Sequence, residues 1–223
     1  MPGTELSRRT LLKAAGVAAV AGTGLAATGC DDGGHSPSRP GADGSWTNWS
    51  GGQTSRPKTW LIPANEPDLV TEVRRATGTV RVVGAGHSFS PVVATDDTLV
   101  SLDELAGIVE HDEATTQATI WAGTRIRALG DPLWERGQAF ANQGDIDKQS
   151  LGGAVGTSTH GTGVTLGSFS SAVRGVRLVT AAGDVVECSA TRDADMFHAA
   201  CTAMGTLGIV TQLRMQNRAP YAL

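Results

Sequence analysis

Two stretches of the chain carry residue types suited to holding a cofactor. The first is Val82-Val83-Gly84-Ala85-Gly86-His87-Ser88-Phe89-Ser90. A β-branched run enters Gly-x-Gly, where the backbone can close its N–H groups on an anion, most often a diphosphate. A histidine follows at once. The second stretch runs from Asn142 to Gly163 and includes Gly144-Asp145-Ile146-Asp147-Lys148-Gln149-Ser150-Leu151-Gly152-Gly153 and Thr157-Ser158-Thr159-His160-Gly161. Small residues and hydroxyls fill it. They bury little apolar area and lose much backbone entropy on folding, a penalty that a bound ligand offsets. Hydroxyls beside N–H donors suit phosphates and the edge of a heteroaromatic ring.

The first stretch has two competing explanations. A dinucleotide loop of the G-x-G-x-x-G type fails, because its sixth position is Phe89 and Ser88-Phe89-Ser90-Pro91 does not open a helix. A plain tight turn stays open on these residues alone, with His87 as an ordinary loop histidine. His160 is either a ligand-facing residue or a hydrogen-bonded core histidine. His35, His111 and His198 have no metal-ligand spacing, so no metal site is expected.

The elements that must position these stretches read as mixed α+β. A helix is expected over 67–76, with Pro67 in its first turn and Gly78 ending it. Strands follow at 79–83 and 98–102, then a hairpin pair at 107–111 and 117–121. A helix is expected over 126–137 with Thr124 as its cap. A second hairpin, 173–180 and 185–189, turns at Ala181-Ala182-Gly183-Asp184. A helix over 193–203 and a strand over 208–215 complete the pattern, without regular βαβ alternation.

Composition bounds the function classes. The chain has 223 residues, 40% hydrophobic and 18% charged, which excludes a disordered polyelectrolyte. A net charge of −4 gives no basic excess for nucleic acid. The 29 glycines follow no G-X-Y period. Three cysteines, Cys30, Cys188 and Cys201, are too few for a disulfide scaffold. Cys188 and Cys201 are compatible with a bridge or with two buried thiols.

The N-terminus reads as an address. Ser7-Arg8-Arg9 before Leu11, Leu12 and Lys13 resembles a twin-arginine export signal, and 11–27 suits its apolar region better than a membrane anchor. Leu25-Ala26-Ala27-Thr28-Gly29-Cys30 resembles a lipoprotein box with Cys30 as the lipidated residue. The expected organisation is a signal over 1–29, a flexible tether over 30–45, and a folded domain over 46–223. Localisation would be the outer face of the cytoplasmic membrane or secreted, with membrane contact only through the signal or lipid.

Four motifs then stand in order: Thr47-Asn48-Trp49-Ser50-Gly51, Gly84 to Phe89, Gly144 to Gln149 with Thr159-His160-Gly161-Thr162-Gly163, and Gly205-Thr206-Leu207-Gly208-Ile209-Val210-Thr211. Together they resemble the FAD-binding domain of the vanillyl-alcohol-oxidase-like flavoproteins, nearest the sugar-1,4-lactone oxidases, with alditol oxidases close by. The resemblance implies a PCMH-type FAD-binding domain of two α+β subdomains, with the substrate (cap) domain absent. It makes His87 the candidate covalent tether to the flavin, puts the diphosphate against the backbone of Gly84, Ala85, Gly86, His87 and Ser88, and counts Val83 among the cofactor-binding residues. It further implies FAD contacts from Ser150, Gly153, Thr157, Ser158, Thr159, His160 and Ile209. Asp145 stands where alditol oxidases have a serine near the substrate, and Gly-Asp-Ile-Asp favours a lactone.

No cysteine between 31 and 187 offers a second tether. The catalytic residues belong to the missing C-terminal domain in such proteins, so none is assigned. The implied activity is that of a D-arabinono-1,4-lactone oxidase-like, FAD-linked oxidase or dehydrogenase acting on the CH–OH group of a sugar lactone or polyol. Hydride goes to flavin N5 and then to oxygen or another acceptor. The alternative is a non-catalytic exported flavin-binding lipoprotein or truncated remnant.

Overall fold

A computed structural model describes residues 38–221. The expected export signal over 1–29 and the expected lipidation site Cys30 lie outside the described residues. The first layer begins with a short antiparallel pair, β1 (Trp46–Thr47) and β2 (Thr54–Ser55). Then come β3 (Thr59–Leu61), helix α1 (Glu66–Arg75), β4 (Val80–Val83) and β5 (Thr98–Ser101). β5 lies between β3 and β4, parallel to both, and all four of its residues are buried. A strand flanked on both sides within a covered sheet reads as continuous β-branched and apolar residues, as Thr98-Leu99-Val100 does.

Helix α1 starts one residue earlier than expected because Asn65 caps it: its side chain accepts from the Asp68 N–H at 2.9 Å. It ends at Ala76, already extended, so Gly78 (φ +78°) serves the turn into β4 rather than the helix end. Leu69 and Val73 on its buried face pack with Val100, Leu102, Leu105, Ala122, Val179 and Ile209.

The second layer is a five-stranded antiparallel sheet of β6 (Ile108–Asp112), β7 (Gln117–Trp121), β8 (Val173–Val179), β9 (Val185–Cys188) and β10 (Ile209–Gln216). The spatial order is β6-β7-β10-β8-β9, so the last of the described strands fills the centre. Leu213 pairs with Ile120 on one side and Val176 on the other. These residues share a core with Leu129, Leu133, Leu151, Phe169, Leu178 and Met215. The two sheets form the expected mixed α and β halves, with the α1 cluster reaching across to Val179 and Ile209 of the second sheet.

A polar pin joins the halves. Arg177 on β8 bonds Glu66 on α1 through Nη2 at 2.6 Å and Nε at 2.9 Å. A register shift between Val210 and Gln212 re-aims Thr211, whose hydroxyl donates to Glu66 at 2.5 Å. Burial pushes the Glu66 carboxyl up, but the bonds from Arg177 and Thr211 outweigh it and hold the group below its ordinary value.

Two expectations are corrected here. The helix expected over 126–137 is a 3-10 turn (Ile126–Ala128) followed by α2 (Gly130–Trp134). Pro132 has no N–H to continue a helix begun at 126, so the chain restarts. Thr124 caps nothing: its hydroxyl donates to the Trp121 carbonyl at 2.6 Å and accepts from the Gly107 N–H at 2.9 Å. The tether expected over 30–45 is held to the domain from Ser38 onward. Ser38 is fully buried; its hydroxyl donates to Asp103 at 2.6 Å and accepts from Arg125 at 2.7 Å, and Arg39 pairs with Glu104 at 2.6 Å. The attachment is polar, so counting apolar residues does not detect it.

Candidate functional site

A cavity of about 700 Å³ opens where the glycine-rich segments meet. That is within the ~300–1,000 Å³ usual for small-molecule and cofactor sites. Its walls are the loop leaving β4, the start of helix α3 (Leu151–Gly156), the segment 203–210 leading into β10, and residues 102–103, 122–123 and 180–181.

The loop after β4 is built for close approach. Val83 ends the strand and is buried. A Cβ on Gly84 would run into the Ser150 hydroxyl, so glycine is needed there and two segments remote in sequence touch. Gly86 has φ +63°, a left-handed conformation that other residues resist. Four successive carbonyls are gripped from one side. Gly86 accepts from the Trp49 N–H at 3.2 Å and His87 from Trp49 Nε1 at 3.0 Å. Ser88 accepts from Asn48 Nδ2 at 3.0 Å and Phe89 from Gln53 Nε2 at 3.2 Å. These anchoring bonds use carbonyl oxygens, and the loop's N–H groups play no part in them.

The second segment is not a continuous loop. Ser150 caps α3, accepting from the Gly153 N–H at 3.3 Å. The Leu151 and Gly152 amides donate to the carbonyls of Thr124 and Ala122, both at 2.8 Å. Leu151, Ala154 and Val155 are buried on one side, and Thr157 returns its hydroxyl to the Gly153 carbonyl at 2.9 Å. The third wall turns at Gly208, where φ is +145° and a Cβ would strike the Val179 carbonyl, before Ile209 opens β10.

Val83, Gly84, Ala85, Gly86, His87, Ser88, Ser150, Gly153, Thr157 and Ile209 all line the cavity. Asp145, Ser158, Thr159 and His160 do not. Asp145 and His160 are exposed, which excludes the core-histidine alternative for His160; its Nδ1 lies 2.8 Å from the Gly161 carbonyl. Ser158 (φ +55°) donates to Ser168 at 3.1 Å. Thr159 accepts at 3.2 Å from Gln149, which does line the cavity, so Thr159 acts through a neighbour. Sequence reasoning missed Gln149, Met204 and the anchoring roles of Asn48, Trp49 and Gln53. Asn48, Trp49 and Gln149 stand inside quoted motifs, which was the available signal.

The chemistry offered is binding rather than nucleophilic attack. Cys188 and Cys201 are free thiols, and burial pushes both above the ordinary thiol value. A dinucleotide suits the cavity's size and its glycine-lined walls, whose close packing at Gly84 and Gly208 leaves no room for a side chain.

Known proteins match in the same region. An L-gulono-1,4-lactone dehydrogenase of Mycobacterium tuberculosis is 37% identical over 77% of this chain and 40% of its own length. A D-arabinono-1,4-lactone oxidase of Eremothecium gossypii is 38% identical over 74% of the chain and 32% of its own length. An L-gulonolactone oxidase of Scyliorhinus torazame is 34% identical over 76% and 39% respectively. The aligned part of this chain thus spans a third to two fifths of these relatives. The FAD binding domain family matches residues 57–189, which contain the Gly84–Ser88 loop and the Ser150 cap. With more than half its length inside that match and both glycine-rich walls meeting at one cavity, the chain belongs to the FAD binding domain family.

Proposed function

We propose that this chain is the FAD-holding part of an oxidoreductase acting on the CH–OH group of a sugar 1,4-lactone. One observation carries the reading: Gly84 and Ser150, sixty-six positions apart (150 − 84), abut at a cavity of cofactor size. Bound FAD supplies the hydride acceptor. The N–H groups of Gly84 to Ser88 face the diphosphate as donors. The Ser150 and Thr157 hydroxyls and the Gln149 amide offer polar edges, while Leu102, Ala122, Val155 and Ile209 exclude water. His87 is the side chain placed to tether the flavin.

Gly144-Asp145-Ile146-Asp147 supports a lactone over a polyol, and the similar proteins carry the names of lactone oxidases or dehydrogenases. Ser7-Arg8-Arg9 and Cys30 support export in the folded state and lipid anchoring. Purified full chain given FAD should turn yellow with about one flavin per chain; colourless protein that takes up none overturns the reading. With the substrate domain supplied, anaerobic addition of L-gulono- or D-arabinono-1,4-lactone should bleach the bound flavin. Bleaching by an alditol alone overturns the substrate class.

A further inference from the structure

Trp49 is 38% exposed, yet it makes four specific contacts to one short stretch of chain. Its ring centroid lies 5.1 Å from that of the His87 imidazole, with the planes 18° apart. Its Nε1–H donates to the His87 carbonyl at 3.0 Å, and its backbone N–H donates to the Gly86 carbonyl at 3.2 Å. Phe89 closes on the indole edge-on, 5.6 Å away and at 72°. Trp49 itself does not line the cavity, whereas His87 does. An indole placed for core packing alone would be buried and would have no need to bond both the ring and the main chain of one loop histidine.

We propose that Trp49 is a positioning residue for His87. The stack fixes the plane of the imidazole, and the Nε1 bond fixes the peptide unit from which it hangs. The ring is therefore set at the cavity wall before a cofactor arrives, and its rotamer freedom is removed in advance. The inference rests on the reading of His87 as the flavin tether. Attachment there exchanges a C–H bond of the flavin 8α-methyl group for a C–N bond to the imidazole. One proton leaves the methyl carbon and one leaves the imidazole nitrogen, and the electron pair passes to dioxygen, giving hydrogen peroxide.

The test uses the full chain in two arms. In the first, histidine is isotope-labelled in the cofactor-free protein, and the His87 signal is identified among the five histidines by its loss in His87→Ala. Trp49→Leu should move that signal out of the indole's ring-current shift, and Trp49→Phe should keep most of the shift. In the second arm, flavin remaining with the denatured chain is measured at equal FAD loading. It should fall at least about tenfold in Trp49→Leu and recover in Trp49→Phe, as expected when a reacting group is misplaced by an ångström or so. If the Leu variant does not fold, Trp49→Met takes its place. Wild-type protein that releases all its flavin on denaturation overturns the tether reading, and the imidazole signal then decides the role of Trp49 by itself. An unchanged His87 signal in the Leu variant overturns the positioning role.

Discussion

The two glycine-rich walls of the cavity are held by opposite means. The Gly84–Phe89 loop is gripped through its carbonyls by side chains and backbone of residues 48–53. The start of α3 is held through its amides, which donate to Thr124, Ala122 and the Ser150 hydroxyl. The bonds that anchor the first wall use its carbonyls, and those that anchor the second use its amides. If FAD's diphosphate takes backbone donors, the first wall is the one expected to supply them. Two segments alike in composition do different work because they are anchored by different atoms.

The largest effect that would break this comparison comes from Gly84→Ala. The new methyl meets Ser150, and overpacking at a contact this tight should destabilise by about 3 kcal/mol. FAD affinity should fall more than about tenfold, read by urea unfolding and flavin titration. Adding Ser150→Gly should restore part of the loss, since the obstructing hydroxyl is gone; strict additivity would show that the walls do not touch. Next is Asn48→Ala. Asn48 is 2% exposed and bonds Ser50, Ser88 and Gln53, so its removal breaks three part-buried hydrogen bonds and should cost about 2 kcal/mol. FAD affinity should weaken with it, because the cradle loosens.

Ser150→Ala sharpens the contrast with a smaller effect. Losing a helix cap should lower stability by about 1 kcal/mol while FAD affinity changes less than in Asn48→Ala. An equal loss of affinity in both would assign donors to the second wall. The smallest effect is a slope. Glu66 is held below its ordinary value of 4.5, so its contribution is present above that pH and is lost as pH falls through the lowered value. Glu66→Gln should flatten this part of the acid limb of a stability-against-pH profile, leaving the pH 7 cofactor titration nearly unchanged.

Strands and the Gly-x-Gly loop were legible because their signals are local. β-branched runs mark β4, β5, β8 and β10, and the contact between Gly84 and Ser150 follows from two small-residue segments sharing one ligand. Helix α3 was not legible: Leu151-Gly152-Gly153-Ala154-Val155-Gly156 has poor helix propensity, and its amides are satisfied by carbonyls from residues 122 and 124. The burial of Ser38 was invisible for a similar reason, since its partners Asp103 and Arg125 lie far along the chain. Thr159 and His160 follow Ser158, whose backbone is left-handed, and stand outside the residues lining the cavity.

The placement of β10 at the centre of its sheet carries a consequence for biosynthesis. Among the described strands this one is the last to leave the ribosome, and β7 and β8 are joined there through it. Until it emerges, the larger half is two separate hairpins with exposed edges, and Ile209 is not in place to close the binding chamber. Such long-range closure folds slowly and leaves nascent chains open to aggregation and chaperone capture. Loading with the prosthetic group therefore has to follow completion of translation past residue 216.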